Sequence, residues 1–157
     1  MSPLRLSLAF ILAPAVPVVL YCLPGLFAGE SINRLLPFFY FGSVVTYAHA
    51  IVLGVPAALV LGRFRRLTLA RVLGTAFLIG ALPFTGWTIY NEVTMPPGAG
   101  YTVNSEVLRV DGQLTRSGWI SVFQGIGLCG LLGLAAGLFW WWISGASAAR
   151  RTGNLAS

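Results

Sequence analysis

Charged residues punctuate this chain sparsely, and between them run four uncharged stretches, residues 6–29, 35–62, 72–91 and 117–149, of 24, 28, 20 and 33 residues. A hydrocarbon layer about 30 Å thick is crossed by about 20 apolar residues in helix, so each stretch is long enough to span it. The pattern predicts an all-α membrane protein with transmembrane helices over 5–27, 36–61, 68–90 and 118–143. Residues 1–157 then form a single transmembrane domain, with a loop at 91–117 and a tail at 144–157. Pro14 and Pro17 fall inside the first stretch, where each removes a backbone donor, and they predict a kink.

The loop is the one sizeable polar segment. It opens with Met95, Pro96, Pro97, Gly98 and Gly100, a sequence that cannot continue a helix. Further on, β-formers flank Asp111-Gly112 between Val107 and Thr115, the signature of a short β-hairpin. The second connection is tight: Gly62 and the cluster of Arg63, Arg65 and Arg66 turn the chain straight into the third helix, which makes the second and third helices antiparallel neighbours.

Composition agrees with this reading. Apolar residues make up 57% of the chain and charged residues 9%, against about 25% charged in soluble domains, so a soluble fold would have too little polar surface to cover four such helices. All ten basic residues are arginines. Arg5, Arg63, Arg65, Arg66, Arg71, Arg150 and Arg151 fall on one side of a four-span topology, and Arg34, Arg109 and Arg116 on the other. The positive-inside rule places the side with seven, and both termini, in the cytoplasm. The 91–117 loop is then periplasmic. Trp87, Tyr90 and Trp119 fall at the outer interface and residues 140–142, three tryptophans, at the inner one, as aromatic belts do. The arginines are spread between apolar segments rather than gathered on one face, which excludes nucleic acid as the partner and favours anionic lipid headgroups for Arg63, Arg65, Arg66 and Arg71. The uncharged first stretch is longer than a signal-peptide core, and bulky Tyr21 precedes Cys22, so the first helix is expected to stay uncleaved.

Candidate chemistry is sparse. Gly125, Cys129, Gly133 and Gly137 share one face of the fourth helix, and Gly42, Thr46, Ala50 and Gly54 share one face of the second. Small residues at this spacing let helix backbones approach closely in lipid. Internal packing is the first expectation for both faces, and a homo-oligomer or a partner membrane protein is the alternative. His49 is the sole histidine and lies near the middle of the second helix, with Thr46 on the same face. An ionisable group at that depth marks a polar site by default, and Gln124 and Cys129 of the fourth helix lie at a matching depth. No acid accompanies His49 within the apolar stretches, so the residues nominate a structural histidine ahead of a proton or ligand site, and a metal site is not expected. Cys22 and Cys129 show no CxxC spacing, and GxSxG, P-loop and HExxH patterns are absent. No catalytic residue and no cofactor is expected.

Residues 47–83, with Leu53-Gly54-Val55-Pro56 ahead of the basic turn and Gly80-Ala81-Leu82-Pro83 near their end, resemble small four-helix bacterial inner-membrane proteins of uncharacterised function. Gly137-Leu138-Phe139-Trp140 fits the same resemblance, which covers about half the chain. It implies four spans in a bacterial inner membrane and carries no catalytic residues. The expected role is a non-enzymatic accessory or interaction subunit, with a small oligomeric transporter or channel component as the alternative.

Overall fold

A computed structural model describes residues 3–63, 68–96, 98–103 and 105–144. Four helical segments, Leu4–Phe27, Ile32–Leu61, Leu69–Thr94 and Arg116–Ser144, are each long and apolar enough to cross a membrane. A small three-stranded sheet stands between the third and fourth. The bundle therefore has a sheet end, which also holds the 28–31 turn, and a terminal end, where the first segment begins and the fourth stops.

The first segment is two helices, α1 (Pro3–Leu12) and α2 (Ala15–Phe27), interrupted where Pro14 lacks an N–H. That break leaves carbonyls without helical donors, and Tyr47 of the second segment donates its hydroxyl to one of them, Ile11 O, at 2.6 Å. A turn follows α2 in which Gly29, at φ +78°, adopts the left-handed conformation that closes a helix end. The second segment comprises α3 (Ile32–His49), a π-helical turn over Ala50–Gly54, and α4 (Val55–Arg63). The π turn has a local cause. Pro56 offers no donor to Val52 O and its ring crowds that carbonyl, and the ladder widens so that Val55 N–H bonds Ala50 O, five residues back.

The third segment, α5 (Leu69–Thr94), is capped by Thr68, whose hydroxyl accepts the Arg71 N–H at 3.3 Å. It runs four residues past the end expected from hydropathy, carrying Glu92 toward the sheet. β1 (Tyr101–Val103), β2 (Glu106–Val110) and β3 (Gln113–Leu114) pair antiparallel in sequence order. The β2–β3 turn is the Asp-Gly hairpin anticipated from the sequence, with φ of +48° at Asp111 and +81° at Gly112, as a type I′ turn demands. β1 was not foreseen. Thr115 then joins sheet to helix: its hydroxyl accepts Gly118 N–H at 3.1 Å and contacts Val107 O at 2.8 Å, starting α6 (Arg116–Ser144).

α5 and α6 form the tightly packed half of the molecule. A Cβ added at Gly133 would fall 2.3 Å from Ala76 O, and one at Gly80 would fall 2.4 Å from Cys129 O, so the two backbones are in direct contact. On either side of this crossing Gly125 accepts the ring of Phe84, and Gly137 faces the Ala76 methyl and the Val72 carbonyl. The Gly125, Cys129, Gly133, Gly137 face is thus turned onto α5. α1 joins α6 at the terminal end, where the Phe10 and Trp140 rings meet edge to face at 5.8 Å. The second segment is different. None of its described residues is buried; it packs chiefly on α2, where Gly42 meets Val18, and reaches α5 at the π turn.

Candidate functional site

Because the second segment leans on α2 and leaves the α5–α6 pair free below that contact, a gap opens between them. It forms a cavity of about 390 Å³ reaching from His49 and Phe84 to Leu61 and Trp140. A second cavity of about 490 Å³, flanked by Tyr21, Phe38 and Phe41, lies toward the sheet end and shares Pro17, Val45, Thr46 and Leu132 with the first. The first has the size of a small-molecule site and walls made mainly of Ala, Gly, Leu and Pro. Ala50 and Gly54, expected from spacing to pack against another helix, also line this gap. A Cβ built on Gly54 would meet Ala50 Cβ and His49 O of its own segment at 3.9 Å and the Phe10 ring of α1 at 4.0 Å.

Its polar groups are few; one is the buried Trp140 Nε1–H, which has no partner among the described residues, and the others each have a distinct state. His49 Nδ1 lies 2.6 Å from Val45 O, one turn back. A carbonyl only accepts, so Nδ1 carries the proton and donates, and in the neutral ring Nε2 is left as an acceptor. Thr46 donates to Ser43 O at 3.1 Å and is thereby satisfied. Thr75 is not. Thr85 and Thr88 on the same helix each donate to the carbonyl four residues back at 2.9 Å, whereas the Thr75 hydroxyl makes no hydrogen bond among the described residues. Cys129 also lines the cavity as a free thiol. Among the described residues, none of those lining the cavity is charged, and no group of three His, Cys, Asp or Glu side chains comes together.

The structure thus brings His49, Thr46 and Cys129 to one cavity and leaves Gln124 out. Gln124 is exposed and lines neither cavity. Five positions separate it from Cys129, which at about 100° per residue turns it roughly 140° away around α6. A matching depth is not a matching face. Among the four basic residues singled out from sequence, Arg65 and Arg66 lie outside the described residues, as does the Arg63 side chain, and Arg71 is placed by its backbone in the first turn of α5.

A second polar cluster was missed in the sequence. Arg109, 4% exposed, donates through its guanidinium to Glu92 of α5 and to Gly112 O in the hairpin turn. The pair clamps the sheet onto the end of α5, while Gly118 lets β2 press against α6: a Cβ there would lie 2.2 Å from Leu108 O. Glu30 and Arg34 form the other described ion pair, at 3.4 Å on an exposed turn, and contribute little.

No protein-family model, curated protein or solved structure matches this chain.

Proposed function

We propose that this chain is a four-span protein of a bacterial inner membrane, with both termini cytoplasmic, that acts as a non-enzymatic accessory or interaction subunit. The observation that carries the proposal is the contrast between its two halves. α5, α6 and the clamped sheet make a rigid frame, and the second segment stands partly away from it with a face of small residues turned into an open apolar gap. A bundle that served only to fill its own interior would close that gap. Membrane placement is supported by large apolar side chains exposed along all four segments, from Leu4 to Trp142, far more apolar surface than a soluble monomer tolerates. The seven-to-three arginine distribution supports the orientation, and contact of the inner arginines with anionic headgroups follows from it. A transporter of polar solutes gains less support, since such a path needs polar or charged lining and the gap is walled by apolar side chains.

Affinity purification of the tagged full chain in mild detergent tests the role. A stoichiometric membrane partner, weakened by Gly54→Leu in the gap, is the expected result. A chain that purifies alone and moves a solute in liposomes would overturn it.

A further inference from the structure

We propose that the cavity beside His49 binds a neutral lipid alcohol, a molecule with an apolar body and a free hydroxyl head, and that the hydroxyl donates its hydrogen bond to His49 Nε2. The proposal rests on the membrane placement above and adds a ligand class to the same gap. Three observations select the ligand.

The first is charge. Among the described residues the lining includes no Arg, Lys, Asp or Glu, so beside His49 a phosphate head would meet no described counter-charge, at a desolvation cost that a neutral head avoids. The second is the hydrogen bonding of His49. Its Nδ1–H is committed to Val45 O, so with the ring neutral the remaining nitrogen, Nε2, is an acceptor and not a donor, and His49 lines the cavity. A ligand that donates, an alcohol, is matched to His49, and the buried Trp140 Nε1–H at the other end of the lining, which has no partner among the described residues, is a donor open to a second ligand oxygen. The third is the backbone beside it. The π turn over Ala50–Gly54 begins at the residue after His49, and its widened ladder adds a residue where the second segment meets the gap, the kind of local departure from α-helix that recurs at binding sites. A volume of about 390 Å³ accommodates the head and the first part of an apolar body, and the second cavity adjoins it at Val45, Thr46 and Leu132.

Two lipid classes with this head differ in their other oxygens: a diacylglycerol, whose hydroxyl comes with ester carbonyls, and a long-chain isoprenoid alcohol, which has no second oxygen. Thr75 separates them, because it lines the cavity and its hydroxyl, unengaged among the described residues, can donate to an ester carbonyl.

The full chain is reconstituted in phosphatidylcholine liposomes with diazirine-bearing diacylglycerol or isoprenoid alcohol, each alongside its O-methyl ether. The alcohol is expected to label the wild type about five- to tenfold more than its ether, the worth of one hydrogen bond in an apolar site. That preference falls to near one in His49→Leu and returns in His49→Gln, which restores an acceptor. Thr75→Val lowering the diacylglycerol signal alone assigns the ester-bearing ligand, and no effect of Thr75→Val assigns the isoprenoid. Equal labelling by alcohol and ether overturns the proposal, as does equal labelling by a diazirine phosphatidylcholine or a co-purifying protein that occupies the gap. Carbonate washing of the same liposomes separates the two readings: a chain that is retained but shows no preference refutes the ligand, and a chain that washes out refutes the membrane placement beneath it.

Discussion

Replacing Gly133 by alanine should destabilise the protein even though alanine is the better helix former. In a helix interior the exchange is worth about 0.5–1 kcal/mol in alanine's favour through backbone entropy. At this position the new Cβ would sit 2.3 Å from the carbonyl oxygen of Ala76 and 3.2 Å from Gly80 Cα, and both obstacles are backbone. No side-chain rotation relieves the clash. Helices α5 and α6 must part until the contact exceeds 3.0 Å, which also loosens the Cys129 O contact at Gly80 and the seating of Phe84 on Gly125. Overpacking of this kind costs about 1–3 kcal/mol, so the net loss should be about 1–2 kcal/mol. Gly127 on the same helix is the control, because a Cβ there meets nothing within 4 Å and only the propensity gain remains. Thermal unfolding in detergent, followed by far-UV circular dichroism, should place Gly133→Ala about 3–6 °C below the wild type and Gly127→Ala about 2 °C above it, given about 2–4 °C per kcal/mol for a chain of this size. Gly80→Ala should cost a similar amount, and the double variant less than the sum, since one separation relieves both clashes. If Gly133→Ala proved as stable as Gly127→Ala, the backbone-contact account of the α5–α6 crossing would be wrong.

Other contacts make separate predictions. Arg109→Ala removes the clamp between sheet and α5 and leaves Glu92 beside a partly buried, uncompensated site; amide exchange across residues 101–114 should rise sharply while that of α6 beyond Gly125 stays unchanged, with a stability loss of about 2–4 kcal/mol. Thr115→Val deletes the hydroxyl that starts α6 and should cost about 1–2 kcal/mol by the same thermal assay. Tyr47→Phe frees Ile11 O at the proline break and should cost about 1 kcal/mol, near the upper range for a side-chain hydrogen bond between membrane helices.

The pattern of apolar runs was enough to place four helices within a few residues, because helix length and charge exclusion are local properties. The Asp111-Gly112 hairpin was legible for a similar reason: the turn residues alone dictate two positive φ values. The α6 glycine face could be read from spacing, yet the sequence did not say which helix it meets. What stayed hidden depends on partners distant in the chain. Arg109 looked like one more topological arginine, since nothing local indicates that Glu92, 17 residues earlier, closes on it. β1 lacks an alternating pattern and exists through its pairing with β2. Pro56 signalled a disturbed helix, but its outcome as a π turn beside His49 depends on how the second segment leans on α2. Gln124 was grouped with His49 by depth, and the helical angle puts it on another face.

Whether these helices cross a bilayer, and in which sense, decides the proposed role. Paired fusions of alkaline phosphatase and green fluorescent protein after Leu67 and after Gly100 test that directly. Fluorescence without phosphatase activity at Leu67, and phosphatase activity without fluorescence at Gly100, is the predicted result. Phosphatase activity at Leu67 would contradict the orientation, and fluorescence at both sites in a soluble fraction would contradict the membrane reading itself.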